Sequence, residues 1–238
     1  MTSGAAPPGW HGKLPSLGDF ASRRLEPSFV EPWDSWLAAG LLALREARPE
    51  GWLDAYLGSP SWRFLLMPGV LPGVLPGEAG AQGWAGVLMP SVDRVGRYFP
   101  LTLAVPLGAG PGSAQQLAGL WHWLARLDEL ARDALYEDWT AERLEQELAR
   151  MALPDLSPLP EPTTVPAMEG AVVEVQAAGA ADAALFTGQE AHRAWVVHAR
   201  GLAWWHAQPD ELPPRLLLSR GLPAVSSMAS LFGSAATI

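Results

Sequence analysis

The chain has 238 residues, 49% of them hydrophobic and 17% charged, which suits one large core or two small ones and argues against wholesale disorder. Its 25 acidic against 16 basic residues leave a net charge of −9, which makes nucleic acid and anionic lipid poor partners. There is no cysteine, so disulfides, thiolate catalysis and thiolate metal sites are excluded.

The opening MTSGAAPPGW has neither a basic n-region nor an apolar h-region. Trp10 to Leu14 then reads as a short strand, closed by a turn at Pro15, Ser16 and Gly18. Ser28 with Glu31 fits a capping box, and Pro32 suits the first turn of the helix that follows. Trp33, Trp36, Leu37, Leu41 and Leu44 recur at helical spacing until Pro49 stops the run. Its apolar core, Leu37 to Leu44, is far short of a bilayer span, so a cytoplasmic protein is expected.

A short helix is predicted over Trp52 to Leu57 and a strand over Trp62 to Met67. Residues 68–83 repeat the tetrapeptide PGVL, and such Pro/Gly density supports only a surface loop or insertion. Trp84 to Met89 and Tyr98 to Val105 are the two clearest strands. The connection across residues 90–97 is too short for a parallel crossover, so these two must be antiparallel.

From Ser113 the period changes, and Leu117, Leu120, Leu124, Leu127 and Leu130 make one face of a long helix. A further helix is predicted from Thr140 to Met151. The proline-rich residues 153–166 read as an extended surface connection. Strands follow at Ala171 to Val175, Ala194 to His198 and Leu202 to His206, and helices at Ala181 to Ala191 and Ala224 to Phe232. Mixed strands and helices along one chain predict a mixed, partly antiparallel sheet covered on both faces.

Several motifs fail on inspection. GAGPGS (Gly108 to Ser113) follows a strand and opens a helix, but Ser113 stands where a dinucleotide loop needs its third glycine, and no Walker lysine is present. Ser219 lacks the first glycine of a hydrolase elbow, because Leu217 occupies that place. His11, His122, His192, His198 and His206 are accompanied by no metal-binding spacing. No cofactor, metal ligand or catalytic residue is expected.

Two stretches stand apart. SVDRVGRYFP (Ser91 to Pro100) places Asp93, Arg94, Arg97 and Tyr98 between two apolar strands. GKLPSLGDFASRRL (Gly12 to Leu25) holds Lys13, the chain's only lysine, with Asp19, Phe20 and Arg23. Charges among apolar neighbours usually need an ion-pair partner. Asp93 is therefore expected to be buried and paired with an arginine, Arg94, Arg97 or Arg23, and to pin the two loops. An arginine left over would be free to bind a partner's carboxylate or phosphate.

The order and spacing of GKLPSLGDF, of WDSWL (Trp33 to Leu37), of WRF (Trp62 to Phe64) and of MPSVDRVGRYFPLTLA (Met89 to Ala104) resemble the TagF (ImpM) family. Its members are accessory proteins of bacterial type VI secretion systems. The resemblance spans residues 9–106; further on it rests mainly on Trp204-Trp205 and Gly221-Leu222-Pro223. The sequence departs from the family in its longer Pro/Gly insertion and at Glu26. The resemblance implies a three-layer α/β/α sandwich. Residues 1–106 offer only about four strands and one long helix, thin cover for a two-faced sheet, so helices across 113–151 and the C-terminal strands are expected to complete one domain over residues 1–238. The resemblance also implies a non-enzymatic, post-translational repressor that binds a forkhead-associated scaffold. A hydrolase using Asp93, the arginines and His11, or a structural subunit of the apparatus, are the alternatives. No catalytic residue of the family is carried over.

Overall fold

The computed structural model describes residues 6–73, 79–108, 111, 114–154, 156, 172–176, 201–208 and 214–232. In chain order the elements begin with β1 (Gly9–Gly12), β2 (Ala21–Arg23), α1 (Pro27–Ala47), α2 (Trp52–Leu57), β3 (Trp62–Leu66), β4 (Gly83–Met89) and β5 (Leu101–Gly108). They continue with α3 (Ala114–Tyr136), α4 (Ala141–Leu148), β6 (Val172–Gln176), β7 (Leu202–Ala207), β8 (Arg215–Arg220) and α5 (Met228–Phe232). The strands expected at Ala194 to His198 and the helix at Ala181 to Ala191 lie outside the described residues.

The strands form one eight-stranded sheet in the order β2-β1-β5-β4-β3-β7-β8-β6. Every pairing among the described residues is antiparallel. The expectation of a mixed sheet is corrected here. A parallel pair needs a helical crossover that returns beside its starting strand, whereas α3 and α4 connect β5 in the middle of the sheet to β6 at its far edge. Strands β3 and β7 pair directly, so the N-terminal and C-terminal parts of the chain share one hydrogen-bonded ladder.

Alternation along the strands sends side chains to two separate apolar clusters. On one side Leu65, Ala85, Val87, Leu103 and Val105 pack with Leu117, Leu120, Leu124 and Leu127 of α3 and Leu144 and Leu148 of α4. On the other, Phe64, Leu66, Leu88, Ala104 and Trp205 pack with Phe29, Trp33, Trp36 and Leu37 of α1 and with Leu231 and Phe232 of α5. A buried indole usually finds an acceptor for its N–H. Trp33 donates to Thr102 Oγ1 at 2.9 Å, Trp36 to the Pro223 carbonyl at 2.8 Å and Trp62 to the Leu231 carbonyl at 2.9 Å.

Two local expectations change. Helix α1 starts at Pro27 with Glu26 as N-cap and no side-chain cap, so Ser28 lies within the first turn and the Ser28–Glu31 capping box is not formed. Pro27 supplies the first helical position, where its missing N–H costs nothing. Thr140 does cap α4, its hydroxyl accepting from the Arg143 amide at 3.3 Å. Among the described residues, no helix is long and apolar enough to cross a membrane.

Candidate functional site

Strand β1 pairs with β2 on one side and with β5 on the other, His11 standing opposite both Ser22 and Thr102. The end of β1 and the start of β5 therefore coincide. Residues 13–20 leave the sheet where residues 91–100 enter it, which brings the two charged stretches together. Gly12 makes this junction possible: its φ is +129°, and a Cβ there would lie 2.1 Å from the Pro100 carbonyl oxygen.

Asp93 sits at the centre, with none of its side chain exposed. Its Oδ2 accepts from Lys13 Nζ at 2.7 Å and from Arg97 Nε at 2.7 Å. Its Oδ1 accepts from the backbone amides of Val95 at 3.0 Å and Arg97 at 2.9 Å. Every acceptor position of the carboxylate is thus used. Burial by itself pushes the Asp93 carboxyl up, but hydrogen bonds from Lys13, from Arg97 and from the Val95 amide outweigh it. They hold the group well below its ordinary value of 3.8.

Lys13 is the partner that sequence reasoning missed. It is nearly as buried as Asp93, and its ammonium lies 4.0 Å from the Phe20 ring centroid. An arginine nearer in sequence was the expected partner, and Arg97 does contribute, but from a half-exposed position at the rim. The available signal was a lone lysine between Gly12 and Leu14, an apolar setting in which a charge demands a counter-charge.

Further bonds lock the two loops. The Arg94 amide donates to the Leu17 carbonyl at 2.9 Å, and Arg97 Nη2 donates to the Gly18 carbonyl and reaches Asp19 at 3.7 Å. Ser91 Oγ donates to the Lys13 carbonyl at 2.7 Å. Tyr56 of α2 clamps Ser91 from below, accepting from its amide at 2.8 Å and donating to its carbonyl at 3.0 Å. Gly96, at φ +83°, allows the tight turn that lets Asp93 accept from its own loop.

The structure separates the remaining candidates. Asp19, Phe20, Arg94 and Arg97 are exposed on the pinned loops, together with Val95, which the sequence reading had not singled out. Among the described residues the Arg94 guanidinium has no hydrogen-bond or ion-pair partner, and it lies over Gly18. Tyr98 turns inward and packs edge-on against Trp52 and Tyr56, with centroids 6.2 Å away in each case. Arg23 is not part of the cluster. It stands across from Trp10 on β2, near Glu142 of α4, whose carboxyl is lowered chiefly by hydrogen bonds of its own amide and of Thr140 and to a lesser extent by the Arg23 charge.

His11 and Asp93 do not converge on a common cavity. His11 Nε2 lies 3.1 Å from Asp34 Oδ1 on α1, and its ring stacks on Phe20. A groove of about 570 Å³ opens on the other side of the same loops, lined by Pro15, Ser91 and Val92 and by Leu57, Met89 and Tyr136. Nothing in the sequence marked it, because its walls come from segments as far apart as Pro15, Leu57, Val92, Tyr136 and Gln208.

Both loops lie within the part of the chain that matches known proteins. The family model described as TagF N-terminal domain, Type VI secretion system-associated, matches residues 9–151, which include both pinned loops. The chain is also similar to the crystal structure of PA0076 from Pseudomonas aeruginosa PAO1, at 32% identity and a TM-score of 0.68 over 97% of this chain and 96% of that one. The comparison with curated proteins yields no match. The molecule is therefore a type VI secretion system-associated protein. It belongs to the TagF N-terminal domain family.

Proposed function

We propose that this protein is a cytoplasmic, non-enzymatic regulator that acts after translation to hold a type VI secretion system inactive, by binding a forkhead-associated scaffold of the apparatus. Family membership supports the association with secretion. One observation carries the binding role: the Asp93 carboxylate, the acid at the heart of the motif, has all its acceptor positions occupied. A general base or nucleophile needs a lone pair facing substrate. A carboxylate spent entirely on its own loops gives shape, and the shape holds Phe20, Arg94 and Val95 in solvent. Removal of the gene from its host should raise effector secretion with transcript levels unchanged, and re-expression should lower it again. Secretion that stays constant in both strains would refute the regulatory role.

A hydrolase reading has one observation in its favour. His11 contacts Asp34, and Ser22 stands directly across the ladder, with both Ser22 Oγ and His11 Nδ1 buried and unpartnered among the described residues. Those atoms are shut away from solvent and do not bond each other, so the regulator is the better supported function. Labelling of Ser22 by a fluorophosphonate probe, abolished in Ser22→Ala, would reverse that order.

A further inference from the structure

The pinned loops have a second exposed feature, a groove whose lining comes within two residues of Arg94 along the chain. The groove beside them takes Pro15 from the first loop and Val92 from the second. Arg94 follows Val92 by two residues, and its amide is held by Leu17, two residues beyond Pro15. Two residues of extended chain span roughly 7 Å, so a short bound segment can touch groove and guanidinium together. Two large apolar side chains on the groove walls face solvent: Leu57 is 51% exposed and Tyr136 86%. Exposed apolar side chains grouped around a concavity, with an aromatic among them, are features of protein interaction sites.

The charge pattern names the partner's chemistry. The chain as a whole carries −9. On the loops, the charges of Asp93 and Asp19 face Lys13 and Arg97. Inside the groove Arg132 and Asp138 supply one charge of each sign. Arg94 is the charge left uncompensated, and a guanidinium is suited to binding a carboxylate through two parallel hydrogen bonds. Its backbone is already held by the Leu17 carbonyl, so pairing has only the side chain left to order.

We propose that the groove and Arg94 together receive an acidic segment of a partner protein, with one apolar side chain seated against Leu57 and Tyr136 and a carboxylate on Arg94. This deepens the proposed function and rests on it for the partner's identity, but not for the chemistry of the surface.

The test uses the full chain and two probes. One is the full-length forkhead-associated scaffold. The other is a synthetic acidic peptide with a single central leucine, beside a twin in which every Glu is Gln. Binding is measured for the native chain, Arg94→Glu and Tyr136→Ala, each first shown to melt as the native chain does. The proposal expects scaffold binding that weakens about tenfold or more in Arg94→Glu, weakens in Tyr136→Ala, and falls with added salt. Scaffold binding that is the same in all three chains would overturn the proposed surface and leave the regulatory function standing. Absence of scaffold binding would instead count against that function, and the peptide then decides the surface. A peptide held by the native chain, but not by Arg94→Glu, and preferred over its Gln twin supports the site; equal or absent binding overturns it. Dimers of the native chain that dissociate in Arg94→Glu would show a second copy as occupant, which also overturns the proposal.

Discussion

Asp93 and Arg94 are adjacent in sequence and opposite in circumstance. Asp93 faces inward, loses all contact with solvent and spends both oxygens on Lys13, Arg97 and two amides. Arg94 faces outward, fixed by its backbone to Leu17 while its guanidinium stays unpartnered among the described residues. The difference teaches how one short run of charges divides its labour. Half of the segment is an internal brace, and the other half is a surface held steady by that brace. Loss of an inner residue should thus act through stability, and loss of an outer one through binding alone.

The sharpest way to break this contrast is to remove the brace. Asp93→Ala leaves Lys13 buried and unpaired, and the melting temperature should fall on the order of 10 °C. Thermal unfolding at neutral pH measures it, and an unchanged melting temperature would refute the brace. The same pair has a pH signature. A carboxyl whose folded pKa is depressed stabilises the fold above its unfolded pKa, and that contribution is lost as pH falls through the folded value. The Asp93 carboxyl is depressed below 3.8, so the native chain should lose this stability progressively below about pH 4. The gap in melting temperature between native chain and Asp93→Ala should narrow over the same range.

Next in size is Tyr56→Phe, which leaves the Ser91 amide and carbonyl without the hydroxyl that joins them. A buried polar group stripped of its partner costs about 1–3 kcal/mol, or roughly 2–10 °C for a domain of this size. Arg97→Ala should cost less, a few degrees at most, since its side chain is 53% exposed and Lys13 still holds Asp93. Differential scanning fluorimetry of the two variants ranks them, and an Arg97→Ala loss as large as that of Asp93→Ala would move the centre of the brace to the rim. The smallest effect belongs to Arg94→Ala, which should melt within about 1 °C of the native chain. A large destabilisation there would erase the distinction between inner and outer residues.

Much of this was legible in the chain, for reasons that differ by element. Strands β4 and β5 announce themselves as nearly unbroken apolar runs that feed both clusters, and helices α1 and α3 through the period of the single apolar face each buries. Strand β2 left no signal: it is three residues long and exists because β1 offers it an edge. Strand β8 was also missed. Its RLLLSR shows no alternation of apolar and polar residues, and it is a strand because it pairs with β7 and β6 on either side. The direction of strand pairing was half visible, since a short link fixes a hairpin but a helix between two strands does not make them neighbours. In the site, burial of Asp93 followed from its apolar flanks. Its main partner did not, because Lys13 is 80 residues away and only the β1–β5 pairing brings it near. Tyr98 and Arg23 look alike to Phe20 and Arg94 in sequence, and only the fold sets Tyr98 against Trp52 and Tyr56 and Arg23 near Glu142.

The most direct test is repression by Asp93→Ala in the secreting host, at a temperature where the variant remains folded. The account predicts a lowered melting temperature with repression retained in proportion to the folded fraction, whereas Arg94→Glu keeps its melting temperature and loses repression. An Asp93→Ala chain that melts like the native protein yet represses nothing would contradict it, and would place the carboxylate itself in the interface.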